Sequence, residues 1–139
     1  MIPVNQTICN FQTGDCFRAC AASILEMPIA QVPNFMENGE EGWSQRIDEF
    51  TMATGILLFD IDVSENNNEF LESLYAVFKD VYLIATGKSP RDNSKLHAVV
   101  WRNEETVHDP HPDKSGIQGS PTMLTIMVVK DAKKVKKYL

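Results

Sequence analysis

The chain has 139 residues, 43% of them apolar, which is enough for one domain with a hydrophobic core and too little for two ordinary domains. Its formal charge of -6 argues against a general affinity for nucleic acid or for an anionic membrane, because neither attracts a net-acidic surface. We therefore expect a single domain over residues 1–139 that binds neither.

The N-terminal stretch MIPVNQTICN lacks the basic start and the apolar run of a secretory signal. No apolar stretch reaches the roughly 20 residues that a membrane span needs. Three cysteines, an odd number, cannot all pair within one chain, and a reducing compartment keeps thiols free. We expect a cytoplasmic protein without a disulfide scaffold.

The segment CFRACAASILEM predicts an amphipathic helix of about three turns. Cys16 lies in its first turn, Gly14 and Asp15 supply a flexible approach and an N-cap, and Pro28 closes the other end. Small residues on this helix favour close packing against a neighbour. The apolar stripe recurs at i, i+3, i+4, i+7 and i+8: Phe17, Cys20, Ala21, Ile24 and Leu25.

The middle of the chain alternates helices and strands. PNFMENGEEGW is loop-like, and SQRIDEFTMATG predicts a helix with Ser44 as its N-cap and Gly55 as its C-terminal stop. ILLFDID predicts a strand, NEFLESLYAVF a helix and VYLIATG a strand, and KSPRDNSK has the composition of a loop.

The last third predicts consecutive strands. LHAVVWR and ETVHD are joined at Asn103-Glu104, PHPDKSGIQGSP is an irregular connection, and TMLTIMVVK is the last strand. KDAKKVKKYL predicts a solvated helical tail. Because helices come first and strands follow one another later, we expect an α+β fold with a mostly antiparallel sheet.

Cys16 is the candidate nucleophile. A thiol attacks only as the thiolate, and the N–H groups and dipole at a helix N-terminus favour negative charge there. Cys20 belongs to the apolar stripe and is expected in the core, and a structural role is the simpler interpretation of Cys9.

A cysteine nucleophile needs a base, normally a histidine held by a third group. His97 lies in a strand whose two faces are both apolar, and Asp109 is the acid that the next strand could bring to it. A two-residue loop at Asn103-Glu104 would turn Asp109 to the opposite face, whereas a three-residue connection would set it beside His97. Because RNEE lacks an Asn-Gly type of turn signal, we expect the longer loop.

Two further roles need residues. His108 and His111 flank Asp109, but the chain has no CxxC pair and no HxxxH, so we predict no metal site and no cofactor.

An oxyanion hole commonly combines a backbone N–H at the nucleophile with a side-chain amide. Gln6 and Gln12 both precede Cys16 and are both candidates.

Together, GDCFRACAASIL, LHAVVW and VHDPHP resemble papain-like cysteine peptidases, and among them the small bacterial domains related to bacteriocin leader peptidases. The blocks GDCFRAC and HDPHP also resemble those of small bacterial and phage proteins. The resemblance covers roughly residues 6–35 and 82–117. It implies a papain-like domain whose N-terminal helix carries the nucleophile, with Cys16 as nucleophile, His97 as base and acid, Asp109 as orienting acid and Gln6 as oxyanion amide.

The resemblance implies a thiol hydrolase, most directly a peptidase or isopeptidase with a peptide or protein substrate. Deamidation of glutamine or transfer to an amine would use the same triad, and a papain-like binding module without turnover or a zinc-binding regulator are the rival classes. Phe17, next to the nucleophile, would narrow the approach to the thiol. Arg91, in the loop before His97, could contact an acidic or C-terminal carboxylate group of the substrate.

Overall fold

The computed structural model describes residues 1–65 and 67–139. These residues form α1 (Cys16–Leu25), β1 (Glu37–Glu40), α2 (Trp43–Thr54), β2 (Ile56–Asp62), α3 (Asn68–Val77), β3 (Leu83–Ser89), β4 (Asp92–Arg102), β5 (Glu105–His108), β6 (Gln118–Val129) and α4 (Ala132–Tyr138). A single 3-10 turn, Ile29–Gln31, follows α1. The predicted α+β class is confirmed.

Five strands form one sheet in the order β2-β6-β3-β4-β5, and each neighbouring pair is antiparallel. Side chains alternate between its two faces, so that neighbouring residues feed two separate cores. Ile84 and Val100 join the core that contains α1, whereas Leu83 and Val99 join the core against which α3 packs.

Helix α1 packs closely on β4 because its buried side is made of small residues: Ala19, Cys20, Ala21, Ala22 and Ser23. It ends at Leu25 because Glu26 adopts a left-handed conformation (φ 57°) and donates its N–H to carbonyls of the last turn. Pro28 lies beyond this end. The predicted start at Cys16 is therefore confirmed, and the helix ends two residues before Met27, the last residue of the predicted segment.

Helix α2 begins one residue before the predicted start. The N-cap position is Gly42, at φ 75°, and Ser44 lies inside the helix, so the prediction of Ser44 as N-cap is wrong. Gly55, at φ 74°, is the predicted C-terminal stop. The stretch predicted as a loop before α2 contains the short strand β1.

The segment KSPRDNSK is a β-hairpin and not a loop. Strand β3 continues to Ser89, which pairs with Asp92 at the start of β4, and Pro90 and Arg91 form the turn between them. Polar residues prevail here because most of this hairpin tip is exposed, and composition alone does not separate such a hairpin from a loop. Strand β6 likewise begins at Gln118, four residues before the predicted strand.

Within the two described segments, no helix has both the length and the hydropathy needed to cross a membrane.

Candidate active site

Cys16 is the first residue of α1 and is partly accessible to solvent. The chain segment that leads into Cys16 is tightly packed, because a Cβ on Gly14 would lie 2.2 Å from the carbonyl oxygen of Asn10. The other two cysteines differ in setting, with Cys9 exposed and Cys20 buried in the α1 core as predicted. Burial, followed by the charges of Cys16 and Asp109, raises the pKa of Cys20.

The connection between β4 and β5 has two residues, so the predicted three-residue loop is wrong. Arg102 pairs with Glu105, and both Asn103 and Glu104 have positive φ, at 51° and 63°. The side-chain amide and carbonyl of Asn103 bind Asp80, which helps to hold this unusual turn without a glycine.

A β-bulge restores the register that the short turn would otherwise lose. Trp101 pairs with Thr106, but Val100 pairs with His108, which leaves Val107 as the extra residue. The bulge shifts the pairing by one residue at the end of β5, and Asp109 is the first residue beyond that strand. The turn alone does not set the position of the acid, because the bulge changes the register just before it.

His97 and Asp109 form a buried hydrogen-bonded pair. The distance from His97 Nε2 to Asp109 Oδ1 is 2.8 Å, and the two residues are 3% and 5% exposed. The carboxylate also accepts the backbone N–H of His111 at Oδ1 (2.8 Å) and of Gly116 at Oδ2 (2.6 Å). These donors leave Asp109 one orientation, which fixes the plane of the imidazole.

His97 and Asp109 each stabilise the charged form of the other. Burial alone would lower the pKa of His97, but the hydrogen bonds to Asp109 and Cys16 and the charges of these two groups outweigh it and raise the pKa to about 9. Burial would raise the pKa of Asp109, yet hydrogen bonds from His97 and from two backbone N–H groups lower it to about 2. An imidazolium and a carboxylate are thus the favoured forms near neutral pH.

The side chain of Cys16 lies near enough to the His97 ring for a hydrogen bond and its charge to raise the pKa of His97. Since Nε2 is bonded to Asp109, the nitrogen that remains for the thiol is Nδ1. Thiol, imidazole and carboxylate therefore stand in series, with the histidine between the other two.

The structure separates the two glutamine candidates. Gln6 is partly buried, its backbone N–H binds Pro110 O at 3.0 Å, and its Nε2 donates one of two hydrogens to Ile8 O at 2.8 Å. Gln12 is exposed. Among the described residues, Gln6 Oε1 is a buried acceptor without a partner, a cost of about 1–3 kcal/mol. An oxyanion needs a donor and not an acceptor, so the second Nε2–H of Gln6 is the group that this role would use, and Gln6 stays the candidate oxyanion amide.

The two predicted substrate-binding residues have partners within the chain. The Phe17 ring stands edge-to-face against Phe35 and Trp43, with centroids 5.8 and 5.1 Å apart. The Arg91 guanidinium contacts both carboxylate oxygens of Asp113, at 2.9 and 3.1 Å. The carboxylate that Arg91 meets in the structure is thus one of the protein's own.

The loop after Asp109 contributes groups that the sequence reasoning missed. Besides the N–H groups of His111 and Gly116, Lys114 donates its ammonium to Asp109 O at 2.6 Å. The ring of His111 stands perpendicular to that of His97, with centroids 6.1 Å apart. The sequence HDPHPDKSG could have indicated these contacts, because a loop that contains Pro and Gly and follows an acidic residue can fold back over that residue.

Two cavities of the structure lie away from this site. One of about 520 Å³ lies between α3 and the sheet, lined in part by Tyr75, Trp101 and Ile117, and it includes none of the triad residues. We place the site by its chemistry, because polar groups in series mark a reacting centre better than volume does. No three His, Cys, Asp or Glu side chains within residues 1–65 and 67–139 are arranged to hold a metal ion.

The fold and the site together define an α+β protein with a cysteine, a histidine and an aspartate in series at a helix N-terminus. Comparison of the chain with protein-family models, with curated proteins and with solved structures finds no match. The functional argument therefore rests on the residues themselves.

Proposed function

We propose that the protein is a cysteine-dependent acyl-transfer hydrolase of the papain-like type, most directly a peptidase or isopeptidase. The observation that carries the proposal is the series formed by Cys16, His97 and Asp109. A buried histidine that served only packing would not need a fixed carboxylate on one nitrogen and a helix-terminal thiol on the other.

In the proposed reaction, His97 holds the proton of Cys16 as an imidazolium, and the Cys16 thiolate attacks an amide carbonyl carbon. The developing oxyanion meets the backbone N–H of Cys16 and the free Nε2–H of Gln6. The C–N bond then breaks, and His97 gives its proton to the leaving amine. His97 next deprotonates a water molecule, which releases the acid from the thioester and restores the thiol.

Asp109 acts by orientation and by charge. Its carboxylate keeps Nε2 protonated and Nδ1 turned to the thiol, and it favours the imidazolium that forms when the proton moves. Gly116 and His111 hold the carboxylate itself, so rotation of Asp109 does not misplace the base.

The same chemistry serves peptide hydrolysis, deamidation of a glutamine side chain and transfer to another amine. We propose a peptide or protein substrate in each case. The three cysteines are free thiols, which suits the reducing cytosol in which we propose that the protein acts.

The test is alkylation by iodoacetamide as a function of pH, with each cysteine followed by mass spectrometry. We expect Cys16 to react at about pH 6, where an ordinary thiol of pKa about 8.5 reacts slowly. In His97→Ala this early reactivity should disappear. Cys9 is the matched control, because it is exposed and not in a helix.

Equal pH profiles for Cys16 and Cys9 would overturn the proposal and leave a binding module as the better interpretation. Selective alkylation without acylation of Cys16 by any ester or peptide would point the same way, since a nucleophile that cannot form a thioester cannot turn over an amide.

A further inference from the structure

Asp15 directly precedes the nucleophile, and its side chain does not cap the helix that it precedes. It occupies the N-cap position of α1, it is 1% exposed, and its carboxylate caps no backbone N–H of the first turn. The carboxylate turns instead to the N-terminal segment. Oδ1 accepts the N–H groups of Thr7 and Ile8, both at 2.8 Å, and Oδ2 accepts the Thr7 hydroxyl at 2.7 Å.

This arrangement joins Asp15 to Gln6 through one carbonyl group. Ile8 O accepts the side-chain Nε2–H of Gln6 at 2.8 Å and also the backbone N–H of Asp15 at 3.2 Å. The carboxylate of Asp15 also accepts the backbone N–H of Ile8, so both the N–H and the carbonyl group of Ile8 bind Asp15. Asp15 thereby fixes the group that orients the Gln6 amide.

The diverted carboxylate also bears on the charge near the thiol. A capping side chain accepts the N–H of the second or third helical residue, here Phe17 or Arg18, and Asp15 binds residues 7 and 8 instead. Arg18 Nη1 lies 3.5 Å from Asp15 Oδ2. The positive charge of Arg18 therefore offsets the negative charge of Asp15, which would otherwise disfavour a thiolate at Cys16.

We infer that Asp15 is a positioning residue for the oxyanion hole, which holds the Gln6 amide against the N-terminus of the nucleophile helix. The inference rests on the proposed function and adds a role that the triad does not cover. It predicts that loss of Asp15 impairs reactions that develop an oxyanion and spares reactions that do not.

Two reactions of Cys16 separate these cases. Iodoacetamide is attacked at a saturated carbon, with iodide leaving and no oxyanion formed. p-Nitrophenyl acetate is attacked at its carbonyl: the S–C bond forms, an oxyanion develops, and the C–O bond breaks with release of p-nitrophenolate. The two rate constants are measured on the full chain, by mass spectrometry of the Cys16 adduct and by absorbance of the phenolate.

For Gln6→Ala we expect alkylation close to wild type and acylation slower by about 100-fold or more, the loss typical of one oxyanion donor. Asp15→Ala should reproduce this pattern with at least about tenfold slower acylation, and the double variant should be no slower than Gln6→Ala. Asp15→Asn, which keeps an oxygen for the N–H groups of Thr7 and Ile8, should recover most of the rate.

Wild-type acylation in Asp15→Ala would overturn the inference. Multiplied losses in the double variant would also do so, because they would show that Asp15 acts independently of Gln6. If Asp15→Ala fails to fold, Asp15→Asn and Thr7→Val decide the question, and equal losses of alkylation and acylation in both would count against the inference. A wild-type Cys16 that is neither alkylated selectively nor acylated would instead refute the proposed function itself.

Discussion

Replacing Asp109 by alanine should change the titration of His97 more than any other single substitution near the site. The pKa of His97, about 9 against an ordinary value of 6.5, corresponds to about 3 kcal/mol in favour of the protonated ring at 1.36 kcal/mol per pKa unit. Burial opposes this preference, and the hydrogen bond to Asp109 is the largest of the effects that create it. Without the carboxylate, burial and the interaction with Cys16 remain, so we expect the pKa of His97 to fall well below 9.

The assay is an NMR titration of the His97 ring, assigned by its absence in His97→Gln. Asp48→Ala is the matched control, because it removes an exposed carboxylate from α2 and gives the same change of net charge. A pKa of His97 that stays near 9 in Asp109→Ala would refute the reasoning, since some other group would then hold the proton.

Three further predictions concern stability and the surrounding loops. The stability that protonated His97 contributes is complete below pH 6.5 and is lost as the pH rises through about 9, so urea unfolding should show a decline there that His97→Gln lacks. Arg91→Ala should raise the pKa of Asp113, which hydrogen bonds from Ser115 and the Arg91 pair now hold low, and should leave Cys16 alkylation unchanged; slower alkylation would contradict a purely local role. Gly14→Ala should cost about 1–3 kcal/mol of unfolding free energy, because its Cβ would clash with a backbone carbonyl, and an unchanged urea midpoint would contradict this.

The main helices and strands were predicted from the local periodicity of apolar residues. The stripe of α1 and the apolar run of β2 stand in the sequence because helices and strands repeat every 3.6 and every two residues. The order of these elements was enough to predict an α+β fold. Apolar residues of α3 were less informative about burial, since Phe70 and Val77 are 43% and 74% exposed.

The register of β5 was beyond the sequence. Asn103 and Glu104 form a two-residue turn without glycine because Asp80, distant in the chain, binds the turn. The bulge at Val107 compensates for that short turn. Sequence reasoning proposed that Asp109 lies beside His97, and the structure brings the two together with a shorter turn and a bulge.

Polar side chains were the hardest to place, and Asp15 shows why. A short carboxylate before a helix can bind the first turn or any other N–H groups that the fold delivers, and local sequence favours the first. The tertiary structure placed the N–H groups of Thr7 and Ile8 beside Asp15. It likewise placed Asp113 beside Arg91.

The sequence by itself therefore determined the helices, the strands and the residue types of the site, because backbone periodicity and side-chain chemistry are local properties. Only the tertiary structure decided which donor meets which acceptor. Each hydrogen bond of His97, Asp109 and Gln6 joins groups whose distance depends on register, bulges and packing across the whole chain.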